Sequence, residues 1–369
     1  MYTTKEYLIH SLLLLLTLLT TTLAGAEWLY GKSILVSGEA ALTWTYFIRS
    51  LTFSVPFVGI LLVHELGHLI TSIYHKVRCT LPYFIPAWLG FLGSPYLGTF
   101  GAIIRMKGRV SSRKKYFDIG IAGPLAGFVV AFGVLTYGML TLPGPEYLYE
   151  IHPEYADPNF KGYGEDALEF ELGNNLLFWA MGELLADPNR LPSMSELIHY
   201  PFLFAGYLAL FFTALNLLPM GQLDGGHVLF GLFPKSHARI SLITFSGFMT
   251  YAGLGVLRPS LPVDDLLLRI PLYLGFLYFC FSKSSLSTLN RVTLALSIGA
   301  FQYLLVFVQP AWEGYPGWLF FGFLLGRVMG INHPEVQGFQ AVDRNRKVLG
   351  WIAILVFILC FSPQPFQIS

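Results

Sequence analysis

Polar and apolar positions alternate in long blocks along this chain. Residues 119–142 carry no Asp, Glu, Lys or Arg, and neither do residues 201–218. Over 51–74 the one such side chain is Glu65. A bilayer span takes about 20 mainly apolar residues. The pattern therefore predicts spans at 7–26, 51–74, 117–142, 201–218, 240–257, 266–282, 291–309, 317–331 and 347–362. The stretch 317–331 is short and holds Arg327, which suits a partial or interfacial helix.

One apolar stretch does not read as a helix. Residues 80–104 are interrupted by Pro82, Pro86, Gly90, Gly93, Pro95, Gly98 and Gly101, residues that disfavour helix interiors. A re-entrant hairpin fits, with "GTFGAIIRM" (98–106) as its strand-like return. Irregular backbone at membrane depth has to be buried in protein or line a cavity. A loose cytoplasmic loop is the alternative. The fold class is then an all-α polytopic membrane protein, a transmembrane helix bundle with a re-entrant strand-like hairpin.

The chain divides into an N-terminal span and connecting loop (1–50), a segment of two spans flanking the hairpin (51–142), an acidic extracytoplasmic insert (143–200), a further span with its polar turn (201–235), and additional C-terminal helices (236–369). Within the insert, "LGNNLLFWAMGELLADP" (172–188) has the spacing of a surface helix.

Composition agrees with this picture. Apolar residues make up 54% and charged residues 12% of the 369, against about 25% charged in soluble domains. The net charge of +1 says nothing about nucleic acid, and no basic tract is long enough to suggest it. Cys79, Cys280 and Cys360 are far apart and lack CxxC spacing, so they indicate neither a disulfide framework nor a cysteine zinc site. Lys5, the apolar run Leu12–Leu19 and Ala24-Gly25-Ala26 resemble a signal peptide. A retained first span is the reading favoured here, because the apolar stretch is long for a signal core. Residues 105–115 hold six Lys or Arg and no acid, whereas 143–196 hold eleven Asp or Glu against Lys161 and Arg190. Basic loops face the cytoplasm, which places the insert outside. Arg344, Arg346 and Lys347 fall on the basic side by span count. Helices 51–74 and 201–218 then run parallel, from outside to inside.

The chemistry begins at HELGH. Ionisable groups at bilayer depth are costly and mark interior sites. His64 and His68 are four residues apart, on one helical face, so both imidazoles can bind one zinc ion. Glu65, turned about 100° from His64, suits a general base acting on water at the metal. A polar cluster joining two helices is the structural alternative. A catalytic zinc takes a third protein ligand, and Asp224 in "NLLPMGQLDGGHVL" (216–229) is the candidate. Pro219 and Gly221 break the preceding helix, and Gly225 and Gly226 permit close approach. His227 is a weaker ligand candidate. Asn216 could bind a substrate carbonyl or an oxyanion, or simply pack between helices. Gly123 and Gly127 form a small-xxx-small pair that would let helix 117–142 press against the metal helices.

HELGH in an early span, an AGPLAG helix and NLLPMGQLDGGH in a later one, in that order, resemble the site-2 protease family of intramembrane zinc metalloproteases. The resemblance covers residues 51 to 235. It implies zinc held by His64, His68 and Asp224, Glu65 as the catalytic glutamate, and Asn216 beside the site. It further implies a substrate-receiving strand within 80–106, where Gly98 and Gly101 lie. No insert has the size or pattern of a PDZ domain, so the likeness is to the branch with longer membrane domains. The implied function is hydrolysis of peptide bonds within or near transmembrane segments, with one Zn2+, a transmembrane protein substrate and the lipid bilayer as partners. The substrate helix would have to unwind locally. A prokaryotic plasma membrane is the expected location, with an organellar membrane as alternative and the site toward the cytoplasmic side. A metal transporter would need polar ligands crossing the whole membrane, and here they gather toward one end. A non-catalytic zinc-binding membrane protein would not need all four site residues.

Overall fold

The computed structural model describes residues 2–92, 96–108, 110–157, 170–333 and 341–368. Gly93, Pro95, Arg109 and Lys161, which entered the reading of the hairpin and the loops, lie outside them. The elements in chain order are α1 (Thr4–Tyr30), α2 (Trp44–Tyr74), β1 (Tyr83–Ala87), β2 (Gly98–Ile103), α3 (Arg113–Leu140), α4 (Glu146–Tyr149), β3 (Phe170–Leu172), α5 (Leu176–Leu185), α6 (Pro201–Leu217), α7 (Asp224–Leu232), α8 (His237–Ala252), α9 (Val263–Cys280), α10 (Thr288–Val308), α11 (Gly317–Phe323), α12 (Arg344–Cys360) and β4 (Phe366–Ile368). A helix stands at each of the nine predicted spans. By length and composition α1, α2, α3 and α10 can cross a membrane. The chain forms two compact units. One comprises Met1–Val110, Ile121–Asn216 and Leu355–Ser369, the other Ser111–Gly120 and Leu217–Ile354.

In the first unit, α1 starts at a capping box, Thr3 accepting from the Glu6 amide and Glu6 from the Thr3 amide, which satisfies two otherwise orphaned N–H groups. It ends at Gly31, whose φ of 62° closes the helix in the left-handed region. The 31-residue α2 is about 46 Å long, well beyond the hydrocarbon core. It begins at Trp44 rather than near residue 51, because the extra turns carry Arg49 outside the uncharged window, where it pairs with Glu150 at 3.2 Å.

Small side chains set the helix contacts. Thr22 bonds Ser54 at 2.7 Å, and Gly25 faces Phe53, so α1 and α2 are antiparallel. Phe53 stacks on Phe204 and Phe57 meets Phe212. The two series advance together, so α2 and α6 run parallel, as expected from the charge pattern.

Within the 80–106 segment, Tyr83–Ala87 and Gly98–Ile103 pair as a two-stranded antiparallel sheet, β1 with β2, in place of a loose loop. A register shift between Phe84 and Pro86 gives β2 one extra residue, where Gly101 has φ 93° and its amide donates to Thr99 Oγ1 at 3.0 Å. The hairpin lies against α1: His10 Nδ1 donates to Pro82 O at 2.9 Å, and Thr20 Oγ1 to Gly98 O at 2.7 Å. Gly98 has φ 77°, and a Cβ there would sit 2.4 Å from Thr21 Cα. Gly98→Ala is expected to destabilise the protein by about 1–3 kcal/mol through strain and overpacking. Gly101→Ala has open space around its Cβ and meets only the φ penalty. Thermal melts of both in detergent, against wild type, check the ranking.

The insert is stitched to the same unit. Asn175 caps α5, its Oδ1 accepting from the Phe178 amide at 2.9 Å. This helix is shorter than the 172–188 predicted, because residues 170–172 form β3, paired with β4. The Tyr207 hydroxyl lies 2.6 Å from Gly173 O and 2.8 Å from Pro365 O, bracing that strand pair from α6. His199 donates from Nδ1 to Leu29 O at 2.8 Å, and burial pushes its pKa down.

The second unit packs α8 against α10 and α11, and α9 against α10. Buried Gln302 joins three elements: its amide donates to Met249 O and Thr250 O, and its carbonyl accepts from Tyr273. Residues 324–329 continue α11 as a π-helix. Arg346 grips Asp118 with two bonds of 2.6 and 2.8 Å. That contact brings the start of α12 to the start of α3, as predicted for two basic segments on one side.

Candidate functional site

His64, Glu65 and His68 lie on α2 and are 8%, 6% and 6% exposed. HELGH therefore faces protein, which removes the cost of placing it at bilayer depth. The two imidazole Nε2 atoms are 3.0 Å apart, with ring planes at 72°. Both rings present a nitrogen to one point.

The antiparallel α3 supplies the opposing wall, and it is made of glycine. A Cβ on Gly123 would lie 2.2 Å from His68 Nε2, and one on Gly127 3.1 Å from His64 Cβ. On α2 itself, a Cβ at Gly67 would lie 2.6 Å from Ala122 O. The small-xxx-small pair thus performs the predicted task of bringing α3 against the histidine face.

In the second unit the chain breaks after α6. Gly221 has φ 61°, a turn conformation that a Cβ disfavours. Leu223 then precedes α7, whose first residue is Asp224. A carboxylate at a helix N-terminus is favoured by the helix dipole. Gly225 and Gly226 let α7 start against the end of α6: added Cβ atoms would meet Leu217 O at 2.1 Å and Gly221 O at 2.3 Å. The two glycines after Asp224 are therefore required by packing. Gly120 of α3 lies under this turn, a Cβ there falling 2.6 Å from His227 Cβ and 3.3 Å from Asp224 O.

His227 is buried and bonds His333 through Nδ1 at 2.8 Å. The Tyr116 ring packs on both imidazoles. Neither His333 nor Tyr116 stands out in the sequence. His333 follows His227 by 106 residues, and no local spacing reports such a pairing. Asn216 is half-buried in the last turn of α6 and makes no side-chain hydrogen bond among the described residues. Gly98 and Gly101 lie on β2, beside Phe100, which is 67% exposed.

A helical membrane protein with paired histidines and a glutamate buried in one long span defines a narrow class. The sequence profile of peptidase family M50 matches residues 52–257. This is more than half of the chain, and the chain belongs to that family, the one to which the sequence resemblance points. Among curated proteins it is 34% identical over 202 residues to "Probable zinc metalloprotease EGY1, chloroplastic" of Oryza sativa subsp. japonica, covering 54% of this chain and 30% of that protein. It is 31% identical over 218 residues to the protein of the same name from Arabidopsis thaliana, covering 59% and 35%. The protein named "Probable zinc metalloprotease EGY2, chloroplastic" of Oryza sativa subsp. indica is 29% identical over 180 residues, covering 48% and 29%. The chain thus spans about a third of the length of these relatives. Their names place them in the chloroplast, so the expectation of a prokaryotic plasma membrane is not borne out. The organellar alternative is the one the names match. No solved structure matches the chain.

Proposed function

We propose that this protein is an intramembrane zinc metalloprotease that hydrolyses peptide bonds within or near transmembrane segments of membrane-protein substrates. The observation that carries the reading is the His64–His68 pair. Two Nε2 atoms 3.0 Å apart, buried in a span beside a glutamate, are a metal-binding arrangement with a base at hand. The donor chemistry fits zinc, and the glycine wall fits too, since any side chain at 123 would occupy the space in front of His68 Nε2. The relatives' names, which call them zinc metalloproteases, support the same assignment.

Asp224 is the proposed third ligand. Its position at the start of a helix, in a turn that its own glycines hold tight, and the site-2 protease resemblance support this choice over a surface acid. Bound zinc would polarise the scissile carbonyl and acidify water. Glu65 takes the proton from the attacking water and returns it to the leaving amine. Asn216 would hold the developing oxyanion by its amide. An extended substrate would add to the β1–β2 sheet by backbone pairing, with Gly98 and Gly101 beside it. Water would reach the zinc from the cytoplasmic side, the side assigned to the basic loop.

The test uses the full chain in proteoliposomes with a fluorescently labelled single-span substrate. Chelation should abolish cleavage and Zn2+ should restore it, while Asp224→Ala should lower the zinc bound at the His64–His68 pair. Undiminished cleavage after complete metal removal would overturn the reading, and metal flux without cleavage would favour a transporter.

A further inference from the structure

A second convergence of imidazoles lies in the first unit, at the end of the molecule that carries the insert. His152 comes from the loop before the 3-10 turn Pro153–Ala156. Glu196 and His199 come from the turn that leads into α6. His152 Nε2 and His199 Nε2 are 3.1 Å apart, and Glu196 Oε2 is 3.6 Å from His199 Nε2. One ligand atom from each of the three residues falls within 4.8 Å of the others.

The contacts on the far side of each ring suit a hydrogen on Nδ1. His199 Nδ1 faces the Leu29 carbonyl at 2.8 Å, and a carbonyl only accepts, so Nδ1 carries the hydrogen. His152 Nδ1 faces a Glu154 carboxylate oxygen at 3.2 Å, which accepts in the same way. With Nδ1 holding the hydrogen on both rings, each Nε2 can offer its lone pair to a shared ion. Two imidazoles on a tetrahedral zinc, with bonds of about 2.0–2.1 Å, place their nitrogens about 3.3 Å apart, close to the separation seen. Carbonyl and carboxylate partners on the remote nitrogen are the usual supports of metal-bound histidine. Glu196 is similarly held, its Oε1 accepting from the Tyr155 hydroxyl at 2.6 Å.

We propose that His152, His199 and Glu196 form a second, structural site for a zinc-like divalent ion, which clamps the insert to the start of α6 and the end of α1. The set is two nitrogens and one carboxylate, a donor class that suits zinc over magnesium or calcium. The site is separate from the His64–His68 pair and does not depend on the proteolytic reading.

The experiment is zinc stoichiometry by elemental analysis on the full chain in detergent, stripped with chelator and then titrated with Zn2+ alone. Wild type should take two equivalents. H64A/H68A should keep one, His152→Ala should keep one, and the combined variant should bind none. His152 is half-buried, so H152A should fold. Its melting temperature without zinc should equal that of stripped wild type, and the rise that zinc gives in H64A/H68A should vanish in the combined variant. Glu196→Gln keeps an acceptor for Tyr155 while removing the charge, and should weaken the second equivalent at least tenfold. Wild type binding a single equivalent that H64A/H68A removes would overturn the proposal and leave a proton shared by the two rings. So would an H152A protein that still takes two.

Discussion

Glu65→Gln should leave a folded, zinc-loaded protein that cleaves its membrane substrate about 10²–10⁴-fold more slowly, the range for loss of a positioned general acid–base. That range equals about 3–5 kcal/mol of barrier. Glutamine preserves the shape of a side chain only 6% exposed and removes an ionisable group from the span, so the helix should not suffer. What is lost is the capacity to accept the proton of the attacking water. Single-turnover cleavage in proteoliposomes gives the rate, and elemental analysis gives the zinc content. Turnover within about threefold of wild type would remove Glu65 from its assigned role. Loss of zinc together with activity would instead make Glu65 part of what holds the ion.

The second large effect is expected at a residue with no chemistry of its own. Gly123→Ala places a methyl 2.2 Å from His68 Nε2 and 2.5 Å from its two neighbouring ring carbons. Helix α3 cannot retreat easily, because Gly67 on α2 is already seated against Ala122 and Gly123. The imidazole must therefore rotate away, and the paired nitrogens separate. Overpacking of this kind costs about 1–3 kcal/mol of stability, but the functional loss should be larger: no zinc at the His64–His68 pair and no measurable cleavage. Gly133→Ala, on the same helix with nothing within 4 Å of the new Cβ, is the control. It should retain full activity and gain up to about 1 kcal/mol from helix propensity. Equal activity in the two alanine variants would show that the wall does not position the metal ligands.

The apolar runs revealed the long helices among the described residues, because a span cannot hide its composition. The HELGH spacing and the broken 80–104 segment were legible for similar local reasons: helical period in one case, proline and glycine in the other. The start of α2 was misplaced by several residues because the charge of Arg49 ends an uncharged window without ending a helix. Helix α7 is nine residues long and begins inside a glycine-rich turn, where propensity argues for a loop. Pairings that join distant parts of the chain left no local trace. His152 meets His199 across 47 residues, and neither stands out in its own segment. The acidic character of the insert masks the fact that one of its acids sits beside two imidazoles.

The β3–β4 pair sets a clock on biosynthesis. Phe170 pairs with Ile368, so the two strands leave the ribosome roughly 200 residues apart. At about 5–20 residues per second, β3 waits roughly 10–40 s for its partner. During that interval its edge is open, and Tyr207 has reached the membrane before Pro365 exists. The first unit thus completes itself late, after α2 and α6 have been threaded. A nascent chain interrupted before residue 366 would hold the HELGH helix in place while the insert still lacked its closing strand.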